Sequence, residues 1–194
     1  MTTIAGGPTA PAGPPLRSPW GLAWNGRHLF VAGAGTHQLW AYDPASGQTE
    51  LVAGTGAEGG KDAPVAQAYF AQPSGLALGA NGRINADTAT LYVADSETSS
   101  IRAIDGLDDP GRPGGATTRT LCGAGDLFGF GDRDGSGPGV ELQHPIGIAA
   151  DLQRAVLWEA DPFNHKIKQV DPVSGSCRTA FGNGDSLLDA TSPS

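Results

Sequence analysis

The chain has 194 residues, with 12 Lys and Arg against 20 Asp and Glu, and a formal net charge of -8. This acidity argues against nucleic acid as the main partner, because phosphate and an excess of carboxylates repel each other. No apolar run approaches the roughly 20 residues of a membrane-spanning helix, and the first residues lack the basic start and apolar core of a secretory signal. The sequence therefore predicts no membrane partner and a cytoplasmic setting.

In chain order, one pattern of four segments occurs three times. The opening segment reads Pro-x-Gly-apolar-Ala, the second is apolar, the third alternates and ends in Asp, and the fourth ends in Gly. The opening segments are 19–23, 73–77 and 145–149, and the second segments are 29–32, 91–95 and 156–161. The third segments are 38–43, 100–105 and 166–171, and the fourth segments are 51–54, 120–123 and 179–182.

The alternation has period two, which predicts strands rather than helices. Asn25-Gly26 and Asn81-Gly82 predict tight hairpins between the first and second strands of a unit. Asp43 and Asp171 each begin a turn and are predicted to accept backbone N–H groups there. Four-stranded units in series predict an all-β fold, a β-propeller, because each blade buries its faces against neighbouring blades.

We predict a single partial propeller domain over residues 1–194, with blades at about 16–56, 70–125 and 142–184. Thr3 to Gly7 match the fourth segment of a unit and predict one extra N-terminal strand. Three units are too few to close a ring. Two alternatives remain at this point: the chain is part of a longer propeller, or two copies form a homodimer that completes a ring.

At these residues the sequence resembles the NHL-repeat family of β-propellers. The resemblance rests on the Pro-x-Gly-apolar-Ala openings, on Val93-Ala94-Asp95, and on Asn164-His165-Lys166-Ile167. It covers about residues 16–184, although Gly33 replaces the Asp of the other two units. The third unit is most similar to the NHL-repeat-containing protein 2 group. The resemblance implies a six-bladed ring.

Members of that group carry a thioredoxin-like domain before the propeller, whereas this chain has no Cys-x-x-Cys pair. We therefore do not infer the redox chemistry of such a domain for this chain. Cys122 and Cys177 are distant in sequence and are predicted to be inert reduced thiols, with one long-range disulfide as the alternative. Asp132 to Gly137 resemble the start of a calcium loop, but Gln143 stands where that loop needs a carboxylate, which favours a simple turn.

Candidate binding residues lie near the strand ends and in the strands that follow. Asp95 and Asp161 end second strands, where they either line a channel mouth or accept backbone N–H bonds in the following turn. Arg102 and Lys168 occupy equivalent third-strand positions and either bind a ligand or form a solvated blade face, with their aliphatic stems covering apolar surface. The candidate channel or rim residues are Asp95, Glu97, Asp161, His165, Arg102 and Lys168.

The sequence contains no Ser-His-Asp spacing or phosphate loop, so no catalytic residue, cofactor or metal is predicted. Long connections at 54–69, 106–117 and 123–141 are expected to lie on the propeller rim, where loops commonly bind partners. The favoured function is a non-enzymatic scaffold for a protein or peptide. The alternatives are a propeller module of a larger thioredoxin-linked redox protein and a lyase- or hydrolase-like propeller enzyme.

Overall fold

The structure, a computed structural model, describes residues 16–79, 90–107 and 115–184. In these ranges the chain forms three antiparallel sheets, which confirms the predicted partial propeller of three blades. The predicted strand at Thr3 to Gly7 and the predicted hairpin at Asn81-Gly82 lie outside the described residues. None of the helices in the described ranges has the length and apolar character of a bilayer-spanning segment.

Each blade is a meander in which neighbouring strands in sequence pair with each other. The first blade contains β1 (Pro19–Trp24), β2 (Leu29–Gly33), β3 (Gln38–Asp43) and β4 (Gln48–Ala53). The second contains β5 (Pro73–Gly79), β6 (Thr90–Asp95), β7 (Ser100–Asp105) and β8 (Thr117–Gly123). A two-residue strand, β9 (Gly135–Ser136), precedes the third blade's β10 (Gly147–Asp151), β11 (Val156–Asp161), β12 (Lys166–Val170) and β13 (Ser176–Phe181).

β9 was not predicted, because Gly and Ser in a loop have no strand pattern. It pairs with β13 and gives the third blade a fifth, outer strand. Three one-turn 3-10 helices complete the described elements, at Ala34–Thr36, Val65–Gln67 and Pro162–Asn164. The long connection that contains β9 therefore returns to the blade edge before it enters β10.

The hydrophobic cores lie between the blades. One core contains Phe30 and Leu39 of the first blade packed with Leu91 and Ile104 of the second. The other joins the second and third blades and includes Tyr92. Every residue of β6 is buried, because the second blade has a neighbour on both faces. Stability of each blade thus depends on its neighbours, as in other repeat proteins.

Glycine in the opening motif lets adjacent blades approach closely at the ring centre. A Cβ on Gly21 would lie 2.0 Å from the carbonyl oxygen of Ser74, and one on Gly75 would lie 2.5 Å from that of Ile146. Real Cβ atoms do not come this close to a carbonyl oxygen, so only glycine fits between these inner strands. The repeated Gly is therefore a packing requirement of the ring.

The meander sorts the connections onto two rims. The turns between second and third strands lie on the same rim as the long connections between blades. We call this rim the loop face (residues 34–36, 54–72, 96–99, 124–146 and 162–164). The hairpins between the other strands form the opposite rim, the hairpin face (25–28, 44–47, 152–155 and 171–175). A binding site on the loop face would therefore be formed by side chains from neighbouring blades.

Candidate functional site

Arg102 is a fully buried cation at the junction of the first and second blades. Its guanidinium donates to Asp95 Oδ2 at 3.1 Å and to Asp62 Oδ1 at 2.8 Å. It also donates to the backbone carbonyls of Lys61 and Tyr69, and its Cζ lies 4.5 Å from the ring centroid of Phe70. Both terminal nitrogens of the guanidinium thus have acceptors, as a buried charge requires, whereas Nε has no partner among the described residues.

Asp62 joins the loop between the first two blades to the outer strand of the second. Its carboxylate accepts from the Thr120 backbone N–H at 2.7 Å and from the Thr120 hydroxyl at 3.2 Å. The other terminal nitrogen, Nη1, donates to Asp95, whose Oδ1 accepts from the Ala71 backbone N–H at 2.8 Å. Together these contacts fasten the connection 54–72 to its blade.

The third blade repeats this arrangement with different residues. Lys168 Nζ lies 3.1 Å from both Asp132 Oδ1 and Asp134 Oδ1. Asp134 accepts from the Thr179 backbone N–H at 2.8 Å and from its hydroxyl at 3.0 Å, as Asp62 does with Thr120. Asp132 also binds Lys166. Asp132 and Asp134, which resemble the start of a calcium loop, therefore form ion pairs with lysines.

Asp161 corresponds to Asp95 and accepts from the Gln143 backbone N–H at 2.9 Å. Both aspartates therefore accept a hydrogen bond from a backbone N–H group, which is one of the two interpretations of the sequence. The donor, however, lies just before the blade's inner strand rather than in the following turn. Burial raises the pKa of Asp95 to about 6, although the Arg102 guanidinium acts in the opposite direction. Burial likewise raises the pKa of Asp161.

The six candidate residues are therefore not gathered into one site. Asp95, Arg102, Asp161 and Lys168 are fully buried at the blade junctions. The predicted solvated face at Arg102 and Lys168 is therefore wrong, because the acids of the preceding connections cover both cations. A role of these residues in binding stays a prediction. His165 is exposed and takes a left-handed backbone conformation (φ 53°) at the end of a 3-10 turn. The structure brings together no group of three or more His, Cys, Asp or Glu suited to a metal ion within its described ranges.

Glu97 lies beside an exposed cluster on the loop face. Its Oε2 is 3.9 Å from Nδ1 of His144. The His144 ring stacks on Phe130, with centroids 6.2 Å apart, and meets Phe163 edge-on at 5.2 Å. Phe128 lies in the same loop. We call Phe128, Phe130, His144 and Phe163 the aromatic patch.

The three phenylalanines of this patch face solvent: Phe128 is 87% exposed, Phe163 59% and Phe130 55%. The sequence by itself predicts only a Gly/Asp-rich connection here. The signal that could have located the patch was two phenylalanines, Phe128 and Phe130, in a segment otherwise rich in Gly and Asp. Phe163 comes from the turn between β11 and β12, which only the fold places nearby.

Hydrogen bonds hold the patch on a defined backbone. Asp126 Oδ1 accepts from the N–H groups of Phe128 and Gly129, at 2.8 and 2.7 Å. Further along the loop, the Arg133 and Glu141 backbones exchange hydrogen bonds at 3.1 and 3.0 Å. Asn164 Nδ2 donates to the Gly131 carbonyl at 2.7 Å and ties the turn that carries Phe163 to the same loop.

A second group of titratable residues is buried between the second and third blades. Glu159 is 1% exposed, and neither carboxyl oxygen has a hydrogen-bond partner among the described residues. Burial and the nearby Asp161 carboxylate raise the pKa of Glu159 to about 9. Cys122 and Cys177 are both buried as free thiols. A hydrogen bond with Cys177, together with burial, raises the pKa of Cys122.

No family model matches the chain. NHL repeat-containing protein 2 of Homo sapiens is 39% identical over 194 aligned positions, which cover 88% of this chain and 25% of that protein. Protein SUPPRESSOR OF QUENCHING 1, chloroplastic, of Arabidopsis thaliana is 40% identical over 179 positions, covering 87% and 16%. The chain thus spans a quarter or less of the length of these relatives.

Solved structures show a similar fold at lower identity. An auxiliary nutrient binding protein from Bacteroides ovatus superposes with a TM-score of 0.62 and 20% identity, over 76% of this chain and 36% of that one. A chain of a nidogen/laminin complex superposes with a TM-score of 0.54 and 18% identity, over 85% and 48%. At these identities the likeness extends to the fold alone.

Proposed function

This chain carries the NHL-repeat β-propeller fold, and from that premise we propose that it is a non-enzymatic scaffold that binds a protein or peptide in the cytoplasm. The proposed contact surface is the aromatic patch on the loop face. The observation that supports it is the exposure of three phenylalanine rings on one hydrogen-bonded rim. Solvent-exposed aromatic groups of this kind are typical of interaction sites.

The backbone under the patch lowers the entropic cost of binding. Val140 and Leu142, which follow the loop's tip, are fully buried in the core between the second and third blades. The connection that carries Phe128 is thus anchored at its C-terminal end, and the Asn164 side chain ties the turn that carries Phe163 to it. A surface that is ordered before a partner arrives loses less conformational freedom on binding.

The charge around the patch indicates the chemistry of the partner. Glu97 lies against His144, and Asp126 lies at the base of the loop, while the whole chain has a net charge of -8. A segment with an apolar or aromatic anchor flanked by Lys or Arg would fill the patch and complement this charge. We therefore propose a basic, apolar-anchored peptide segment as the ligand class.

Selection from a random peptide library displayed on phage tests the proposal. The selection uses the wild-type chain as bait, and each selected peptide is then assayed against the Phe128→Ala/Phe163→Ala double variant. We expect peptides with an aromatic or aliphatic anchor and neighbouring Lys or Arg. The double variant should bind these peptides at least about 10-fold more weakly, because each buried anchor contributes on the order of 1 kcal/mol or more.

Val173→Ala is the matched control, since Val173 is 77% exposed but lies on the hairpin face. It should leave peptide affinity unchanged. Peptides that bind all three proteins equally, or a library that yields none specific for the wild-type patch, would overturn the proposal. The two enzymatic alternatives stay predictions, and no observation among the described residues favours either of them.

A further inference from the structure

Cys122 and Cys177 lie side by side in the core between the second and third blades. Both are buried members of this core, and both are free thiols. Cys122 is the penultimate residue of β8 in the second blade, and Cys177 is the second residue of β13 in the third. The two side chains are close enough to form a hydrogen bond with each other. A covalent bond between them would therefore join two neighbouring blades.

The short strand β9 and the residue after it hold the backbones on either side of the two thiols. β9 pairs with β13 at Cys177, and Gly137 forms an isolated bridge to Cys122. The Gly123 N–H donates to the Gly137 carbonyl at 3.2 Å, and the Gly137 N–H donates to the Gly175 carbonyl at 3.0 Å. Gly137 is thus hydrogen-bonded to the segments that carry both cysteines, and the proximity of the thiols is a feature of the backbone.

The surroundings of the two thiols disfavour a thiolate but tolerate a disulfide. The hydrogen bond with Cys177, burial and the negative charge of Glu159 all raise the pKa of the Cys122 thiol. Glu159 is itself buried, and its carboxyl oxygens have no hydrogen-bond partner among the described residues. A disulfide carries no charge and requires no hydrogen bond, so burial does not destabilise it as it destabilises an ionised group.

We infer that Cys122 and Cys177 form a redox modification site, at which hydrogen peroxide converts the two thiols into a disulfide that links the second and third blades. In the first step one sulfur attacks a peroxide oxygen and the O–O bond breaks. The released hydroxide takes the proton of that thiol and leaves as water, and a sulfenic acid remains. The other sulfur then attacks the sulfenic sulfur, and its proton leaves with the hydroxyl group as a second water. The two thiols lose two electrons, which reduce the peroxide.

The disulfide would fasten the base of the connection between the second and third blades. This connection starts directly after β8, which carries Cys122, and returns as β9 to the strand that carries Cys177. The covalent loop closed by the bond contains the whole connection and most of the third blade. Such a cross-link stabilises the folded chain, because it reduces the conformational freedom of the unfolded one. The inference is independent of the proposed peptide site, since it concerns only the bond and its effect on stability.

Mass spectrometry of the wild-type chain tests the inference. The reduced native chain is treated with hydrogen peroxide and then unfolded in urea with iodoacetamide. We expect neither thiol to be alkylated, and we expect trypsin to release residues 120–133 joined to residues 169–178. Dithiothreitol should restore two alkylatable thiols. The oxidised chain should melt roughly 10 °C above the reduced chain, because the bond closes a long loop.

Cys177→Ala removes the partner of Cys122, so peroxide should leave a sulfenic acid that dimedone traps, with no rise in melting temperature. Adding Val173→Cys to this variant gives the matched control, because Val173 is close to Cys177 in sequence but 77% exposed. The new thiol should not link to Cys122. Wild-type thiols that stay alkylatable after peroxide, that become sulfinic acids or that link only between chains would overturn the inference. So would a disulfide that forms in urea but not in the native chain.

Discussion

The guanidinium of Arg102 donates to the carboxylate of Asp95 across 3.1 Å, with both side chains fully buried. The pair lies where the connection from the first blade enters the second. Arg102 also binds Asp62 in that connection, and Asp95 caps the backbone at Ala71. A single buried ion pair thus ties the strands of one blade to the segment that links it to the previous blade.

Replacing Arg102 with Met should lower the free energy of unfolding by about 3–5 kcal/mol, because the Asp95 carboxylate then stays buried without its cation. Urea denaturation monitored by circular dichroism measures the loss. Arg154→Met is the control: Arg154 pairs with Asp151 at the surface, and its loss should cost about 0.5 kcal/mol or less. Equal effects from the two substitutions would contradict a structural role for the buried pair.

Replacing Glu159 with Val should stabilise the chain, and more so at pH 8 than at pH 5. The equivalent residues in the other blades are Val31 and Val93. The pKa of Glu159 is raised from 4.5 to about 9, so the folded chain holds a proton that the unfolded chain has lost. Stability therefore falls as pH rises from 4.5 toward 9.

We expect the gain from Glu159→Val to be on the order of a few kcal/mol at pH 8, measured by urea denaturation at both pH values. Glu159→Gln keeps the shape without the charge and should also remove the pH-dependent part. A stability difference from wild type that is the same at pH 5 and pH 8 would mean that Glu159 ionises normally in the folded chain.

Replacing Gly123 with Ala should destabilise the second blade by more than about 3 kcal/mol. Gly123 ends β8 with φ +100°, and a Cβ there would lie 2.2 Å from the Ser99 carbonyl oxygen. Gly47→Ala separates the cost of the left-handed backbone conformation from the cost of the steric contact. Gly47 has φ +73°, but an added Cβ there would meet open space. Its cost should be about 1 kcal/mol. Thermal unfolding that ranks the two variants equally would show that the contact has no effect.

The two thiols should resist alkylation in the native chain and react after unfolding in urea. Cys122 and Cys177 are at most 1% exposed, and the pKa of Cys122 is raised, so little thiolate is available. Mass spectrometry after iodoacetamide treatment counts the labelled thiols. Val173→Cys supplies an exposed thiol on the hairpin face as a positive control. Native thiols that react as fast as this one would mean that the second and third blades separate in solution.

Local features of the fold were predictable from the sequence. Strand alternation, the opening Pro-x-Gly motif and the turn aspartates each depend on neighbouring residues. Asp171 illustrates this, since its carboxylate accepts from the N–H groups of Val173 and Ser174 as predicted. The three-fold repetition then placed these elements in blades, because a four-stranded unit buries its faces only against another such unit.

The tertiary structure determined which side chains fasten the connections between blades to the blade edges. Asp62 binds Thr120 across 58 residues, whereas Asp134 binds Thr179 across 45, so no fixed spacing reveals the equivalence. The same holds for Cys122 and Cys177, which occupy non-equivalent repeat positions and meet only because two blades pack together.

The buried state of Glu159 and the exposure of Phe128 also came from the fold. A glutamate in a strand and a phenylalanine in a Gly-rich loop contradict local expectation, and only the packing of neighbouring blades determines which side chain is covered. Strand positions follow from interactions between residues near in sequence. Connections between blades differ in length, so contacts across them depend on where the packed blades bring each loop.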